Sequence, residues 1–171
     1  MAYRTKTYIA ADWDGDRDAV DQLYKWNDSC YWSLSFTDAH DIAQSSDSSL
    51  NCSIKKSLAI RMDASKTFVL IVGDNTTSLR SGSCSYCGSY NSYSRSCSRG
   101  YQTSLKSYIE YECDKAIRDG LKIVVLYNSA LIRKSNCPEA LRDMGTHASM
   151  CKWEDGRLYW DYQSVKRALS V

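Results

Sequence analysis

Carboxylates at two kinds of position give this sequence its chemical character. Glu112 lies within YQTSLKSYIEYECDKAIRDGLKIVVLYN, residues 101–128, which reads as one helix, a stop at Gly120 and a strand from Leu121 to Tyr127. On a wheel of roughly 100° per residue with Leu105 at zero, Ile109 falls near ~40°, Cys113 near ~80°, Ala116 near ~20° and Glu112 at about −20°. Glu112 thus sits near the middle of the apolar face, whereas Glu110 and Asp119 point away. A carboxylate among core-facing positions is costly unless a partner bonds it or a cleft opens beside it. Glu112 is therefore either a structural acid, bonded to a buried backbone group or an arginine, or an active-site carboxylate. The second set is Asp12, Asp38, Asp74 and Asn128, each closing an apolar segment. Polar residues at such ends are common turn formers, but aspartates at three successive ends would gather acidic groups along one rim.

Cysteines are the other chemically capable residues. There are eight, and Cys84, Cys87 and Cys97 crowd one segment while Cys30, Cys52, Cys113, Cys137 and Cys151 are scattered. In a reducing compartment such a count argues for thiols or metal rather than disulfides. Cys84-x2-Cys87 has the spacing of a metal knuckle, and Cys97 follows. Cys113 is the candidate fourth ligand of an all-cysteine zinc site, although the wheel also makes it a plain core residue. Zinc, free thiols and a disulfide all stay open. The segment itself, a Ser-, Tyr- and Cys-rich insertion over residues 78–103, is long for a loop in a compact domain, and such loops are usually functional or held by something. Its tyrosines suit a partner surface or a nucleotide-stacking lid.

The elements that must position these groups follow from periodicity. Thr5–Ala11 is a short strand, and Asp16 can cap a helix with Ala19, Val20, Leu23 and Trp26 on one side. Tyr31–Thr37 alternates apolar and polar residues like a strand. A polar loop, DAHDIAQSSDSS, leads to a helix with Leu50, Ile54 and Leu58. Thr67–Val72 is a continuous apolar run, as expected of a strand buried on both faces. After the insertion come the Glu112 helix and its strand. A helix over Pro138–Met144, a short strand over His147–Trp153 and a closing helix over Asp161–Leu169 complete the chain. Strand and helix alternate about five times, which predicts a doubly wound, mainly parallel sheet with helices on both faces. Ligands of such sheets bind outside the carboxyl ends of the strands, where Asp12, Asp38, Asp74 and Asn128 are expected.

Several functions are excluded or disfavoured. A net charge of +2 over 171 residues, with no Lys/Arg block, argues against nucleic acid and anionic membranes as partners. No apolar run is long enough to span a bilayer, and the start of the chain has no secretion-signal pattern, so a cytoplasmic protein is expected. There is no G-x-x-x-x-G-K-[ST] and no G-x-G-x-x-G after a strand. DWDGDRD places its glycine wrongly for a calcium loop. His40 and His147 are the two histidines, and no G-x-S-x-G elbow supports a serine triad. A receiver-like site, with Asp12, Asp14 and Asp74 holding Mg²⁺, remains as an alternative, but it leaves Glu112 and DAHDI without a role.

AADWDGD after the first strand, FTDAHDI after the second, SIKKSLAIRMDASKTFVLIVGDNT, YIEYECDKAIRDGLKIVVLYN and CPEALRDMGTHA together resemble a bacterial TIR-like family, the branch of the Thoeris antiphage systems. The resemblance covers roughly residues 5–150 and implies one TIR-like domain over residues 1–171 with a flavodoxin-like, five-stranded sheet. It places Glu112 at the catalytic glutamate of NAD⁺-consuming TIR enzymes. It further implies cleavage of the nicotinamide–ribose bond of NAD⁺, with an ADP-ribose-derived product, cyclic in some members, that signals to a downstream effector. Homo-oligomers and a phage-protein trigger belong to the same expectation. Asp12, Trp13, Asp38, His40 and Asp74 are candidates to line the substrate pocket, with Trp13 able to stack on a base or on nicotinamide. A catalytically silent TIR-like sensing module is the alternative of a different class.

Overall fold

The computed structural model describes residues 3–40 and 50–171. Four strands, β1 (Lys6–Ala10), β2 (Ser65–Val72), β5 (Lys122–Tyr127) and β6 (Thr146–Ser149), form a sheet in the order β1-β2-β5-β6. Every pairing in it is parallel. Helices α1 (Arg17–Asp28) and α4 (Tyr162–Ser170) cover one face, and α2 (Asn51–Asp63) and α3 (Tyr108–Arg118) the other. This is the flavodoxin-like α/β fold expected. The insertion carries the two-residue strands β3 (Tyr90–Asn91) and β4 (Ser96–Cys97) as a small antiparallel pair. No described helix is long and apolar enough to cross a membrane.

The apolar runs become strands because both faces of the sheet are buried. Tyr8, Phe68, Leu70, Ile123 and Val125 enter the core beneath α2 and α3. Ile9, Val69, Ile71, Val124 and Leu126 enter the core beneath α1 and α4. Alternate residues of Thr67–Val72 and Ile123–Tyr127 therefore enter opposite cores and all are buried, each large side chain contributing roughly 1.5–3 kcal/mol. In α1 the buried residues are Ala19, Val20, Leu23 and Trp26, as the periodicity predicts.

The structure corrects the reading in four places. Residues 31–37 form no strand; one isolated parallel bridge, Thr7 to Asp38, is what remains of a fifth strand beside β1. The reason is local. Asn27, near the end of α1, takes both backbone groups of Phe36, accepting from its N–H at 3.0 Å and donating to its C=O at 3.0 Å. Ser35, at φ 57°, breaks the extended path. Asn27→Ala should cost about 1–2 kcal/mol in urea unfolding, through two lost hydrogen bonds, and should speed hydrogen exchange at Phe36.

Second, α3 begins at Tyr108, so Leu105 lies before the helix and is exposed. A capping box sets the start. The Ser107 hydroxyl accepts from Glu110 N–H at 3.2 Å, and Glu110 accepts from Ser107 N–H at 2.8 Å. Ser107→Ala should destabilise the protein by about 1 kcal/mol, read by thermal or urea unfolding. The face prediction survives the later start: Ile109, Glu112, Cys113 and Ala116 are all buried. The stop at Gly120 is in place, with φ +65° and Leu121 N–H bonded to Ala116 C=O.

Third, the helix expected over Pro138–Met144 is a single 3₁₀ turn, Glu139–Leu141. Fourth, the segment from His147 to Trp153 is divided. β6 joins the parallel sheet, whereas β7 (Cys151–Glu154) turns back through Asp155-Gly156 to pair with β8 (Arg157–Trp160). Both turn residues have positive φ, 49° and 73°, the requirement of a tight hairpin turn.

Candidate active site

A cleft of about 440 Å³ opens at the carboxyl end of β1, lined among others by Tyr8, Asp12, Trp13, His40, Arg61 and Glu112. The parallel bridge of Asp38 on one side of β1 and β2 on the other make this the point where strand order reverses, where α/β sheets form their crevices. A cavity of about 540 Å³ on the other flank of α3 is larger. Its wall holds Glu110 and Cys113 but none of the strand-end aspartates, whereas Asp12 and Glu112 both line the smaller cleft.

Glu112 is 6% exposed and accepts a short hydrogen bond from the Tyr8 hydroxyl. Burial pushes its carboxyl up to about 7, against the Tyr8 hydrogen bond and the Arg61 charge, which both pull it down. Tyr8, deeply buried and facing that carboxylate, is pushed well above the ordinary tyrosine range. The acid is thus poised near neutrality at the wall of a cleft, neither sealed in the core nor held by a main-chain amide. His40 lines the same cleft, and Asp38, which does not line it, is bonded to His40. Asp38 accepts from the Tyr24 hydroxyl at 2.6 Å and pairs with His40 Nδ1 at 2.9 Å. Burial would raise Asp38, but these two bonds outweigh it and hold the carboxyl below its usual range. The Trp13 and His40 rings meet edge to face with centroids 4.8 Å apart, and Tyr8 stacks on the His40 ring at 5.9 Å. The imidazole is thereby clamped, with Nδ1 assigned to Asp38.

Not every candidate belongs here. Asp12 lines the cleft and also turns its own loop, accepting from Asp14 N–H at 3.3 Å. Asp74 does not line it: this exposed carboxylate pairs with Arg133 at 3.6 Å and accepts from Asn136 at 3.4 Å. Asn128 is structural, donating to Asp16 at 2.9 Å and Asp18 at 3.0 Å and so tying β5 to the start of α1. The Mg²⁺ site of Asp12, Asp14 and Asp74 is not assembled; among the described residues no group of three or more His, Cys, Asp or Glu side chains is set to hold an ion. Cys113 is also corrected. It is fully buried beneath α3, part of the hydrophobic core, and lies away from the cavity that Cys84, Cys87 and Cys97 line. Beyond His40, residues 41–49 of the DAHDIAQSSDSS loop lie outside the described residues.

Tyr8, Tyr24 and Arg61 were not among the sequence candidates. Tyr8 carried a signal: a tyrosine in a strand buried on both faces needs a partner for its hydroxyl. Tyr24 and Arg61 enter through tertiary packing and have no linear signature.

The fold and this cleft define a flavodoxin-like α/β domain with a crevice at the carboxyl end of its sheet. Residues 8–81 match the family model described as Thoeris protein ThsB, TIR-like domain, so this stretch of the chain is similar to that family. The match takes in Tyr8, Asp12, Trp13, Asp38, His40 and Arg61 and ends before α3, so Glu112 lies outside it. No curated protein matches the chain.

Proposed function

We propose that the protein cleaves the nicotinamide–ribose bond of NAD⁺ and passes the ADP-ribosyl group to an acceptor, making a signal in antiphage defence. The observation that carries this reading is the Glu112 carboxylate, bonded to Tyr8, at the wall of a cleft within the size range of small-molecule sites. In the reaction the C1′–N bond breaks and its electron pair leaves with nicotinamide, neutralising the pyridinium. No acid is needed at that leaving group. The ribose takes on oxocarbenium character, which an ionised Glu112 stabilises from close range. The cationic substrate itself favours ionisation of Glu112 on binding. The Tyr8 hydroxyl holds that anion in one orientation. The acceptor oxygen then bonds C1′ and gives up its proton to Nε2 of His40, the nitrogen that Asp38 does not occupy. Water as acceptor yields ADP-ribose and a hydroxyl of the substrate a cyclic product, each giving up its O–H proton; an adenine ring nitrogen also yields a cyclic product, the proton then leaving from the exocyclic amine. Trp13 offers an aromatic ring beside His40 for nicotinamide or adenine.

Incubation with NAD⁺, with and without lysate of phage-infected cells, and quantification of nicotinamide tests the reading. Release in either condition supports it, and none in both overturns it. The depth of Glu112 and its tyrosine partner favour one alternative, a silent sensing module in which the pair is purely structural. That alternative predicts nucleotide binding without turnover.

A further inference from the structure

The insertion between β2 and α3 has no hydrophobic core of its own. Across residues 80–106, Gly82, Ser83 and Cys84 alone are buried. It nevertheless docks on the start of α2: Asn51 donates to Ser83 C=O at 3.0 Å and accepts from the Tyr108 hydroxyl at 3.0 Å. At this junction Cys52, from the first turn of α2, lines one small cavity together with Cys84, Cys87 and Cys97. We propose that these four cysteines are a tetrahedral thiolate site for zinc that staples the insertion to α2. The inference does not depend on the NAD⁺ reading.

The cavity measures about 10 Å³. That is about the room of one water, too small for an organic ligand and suited to an ion with sulfur ligands at about 2.3 Å. The backbone around it is arranged as a knuckle. Cys87 N–H bonds Cys84 C=O at 2.9 Å, and Tyr90 N–H bonds Cys87 C=O at 3.0 Å. The β3–β4 ladder then pairs Cys97 with Tyr90 and brings it back beside the Cys84-x2-Cys87 turn. Ser104 N–H donates to Cys84 Sγ at 3.2 Å, a bond that strengthens when the sulfur is anionic. Cys52 sits where the helix dipole favours negative charge.

Charge gives an independent argument. Lys55 is 6% exposed, with its ammonium bonded to Lys106 C=O at 2.7 Å and Ser104 Oγ at 3.3 Å. It forms no ion pair among the described residues. Burial holds its pKa below the usual lysine range, and Cys84, Glu110 and Cys52 are the acidic groups whose negative charge acts against that. A buried cation without a counterion is expensive. When four thiols bind Zn²⁺, each Zn–S bond forms as one proton leaves to solvent, and the resulting cluster carries a net charge of −2. Lys55 stands ready to offset it. As placed, the four thiols are not set at ligand geometry; they line one cavity, and binding the ion draws them together across it.

The test is the metal content of the full chain, purified without chelator, with its thiols counted after denaturation. About one tightly held zinc per chain is expected, with all eight cysteines reduced. Cobalt in its place should show the charge-transfer and tetrahedral ligand-field bands of a four-sulfur site. Cys52→Ser and Cys97→Ser should each lose the ion, whereas Cys30→Ser and a folded Cys113→Ala should keep it. If Cys52→Ser does not fold, the cobalt spectrum of the unsubstituted protein and the metal's protection of Cys52 from alkylation decide the matter. Metal-free protein with free thiols overturns the proposal. So do a disulfide within the set, zinc retained in Cys52→Ser, or zinc lost from folded Cys113→Ala.

Discussion

Glu112→Gln should abolish nicotinamide release and, in the same molecule, raise stability at alkaline pH. Glutamine keeps the shape of the side chain and still accepts from the Tyr8 hydroxyl, but it cannot carry the charge that steadies an oxocarbenium-like ribose. A fall in turnover of roughly 100-fold or more is expected. The stability arm follows from burial. In the folded protein the Glu112 carboxyl is raised from 4.5 to about 7, so folding favours its neutral form. The stability this contributes is fully present below the unfolded value and is lost as pH rises through about 7. The loss amounts to about 3 kcal/mol once the group is ionised, and glutamine escapes it. Urea unfolding should therefore find the two proteins alike near pH ~4.5 and the variant ahead by about 3 kcal/mol near pH ~9. A variant that is less stable than the parent at alkaline pH would show that the negative charge holds the fold together, and the catalytic reading of Glu112 would lose its basis. A destabilised acid kept for its activity is the usual trade between function and stability.

Asp38→Asn carries the second large effect. Asp38 fixes His40 through Nδ1 and is itself fixed by Tyr24. An asparagine can keep the tyrosine bond but presents an amide to the imidazole, which releases the ring from its tautomer. If His40 takes the acceptor's proton, product formation should fall about 100-fold with little change in KM. His40→Gln should do the same. The double variant should be little worse than either single one, because the two side chains act as one device. Full activity in Asp38→Asn, or losses that add, would reduce the pair to a wall of the cleft.

Some of this architecture was open to inspection in the linear chain. TFVLIV and KIVVLY announce strands buried on both faces, and β2 and β5 do send alternate residues into two cores. The wheel placed Glu112 and Cys113 on the buried face of α3 even with a wrong starting residue, because the angular relation between them does not depend on where the helix begins. The true start was also readable, as the S-x-x-E of Ser107 and Glu110, and so was the β7–β8 hairpin, as Asp155-Gly156. Other features were closed to it. Residues 31–37 alternate like a strand, yet Asn27 takes their hydrogen bonds first. Asp74 ends its strand like Asp12 but turns to Arg133 instead of the cleft. Linear spacing also set Cys113 beside Cys84, Cys87 and Cys97, whereas the cavity that those three line takes Cys52 instead. Cys113 follows the knuckle in the chain, but Cys52 precedes it by a helix and a strand and is brought to it by the packing of α2.

The hydroxyl of Tyr8 and the acid of Glu112 stand 104 positions apart along the chain. A ribosome must therefore translate well past the midpoint before the second partner exists. Abortive translation products that end between residue 81 and α3 contain the whole of the ThsB-like stretch but no acid to serve it. On the reading proposed here, a cell can abandon synthesis of this protein at any earlier codon without putting its own dinucleotide pool at risk.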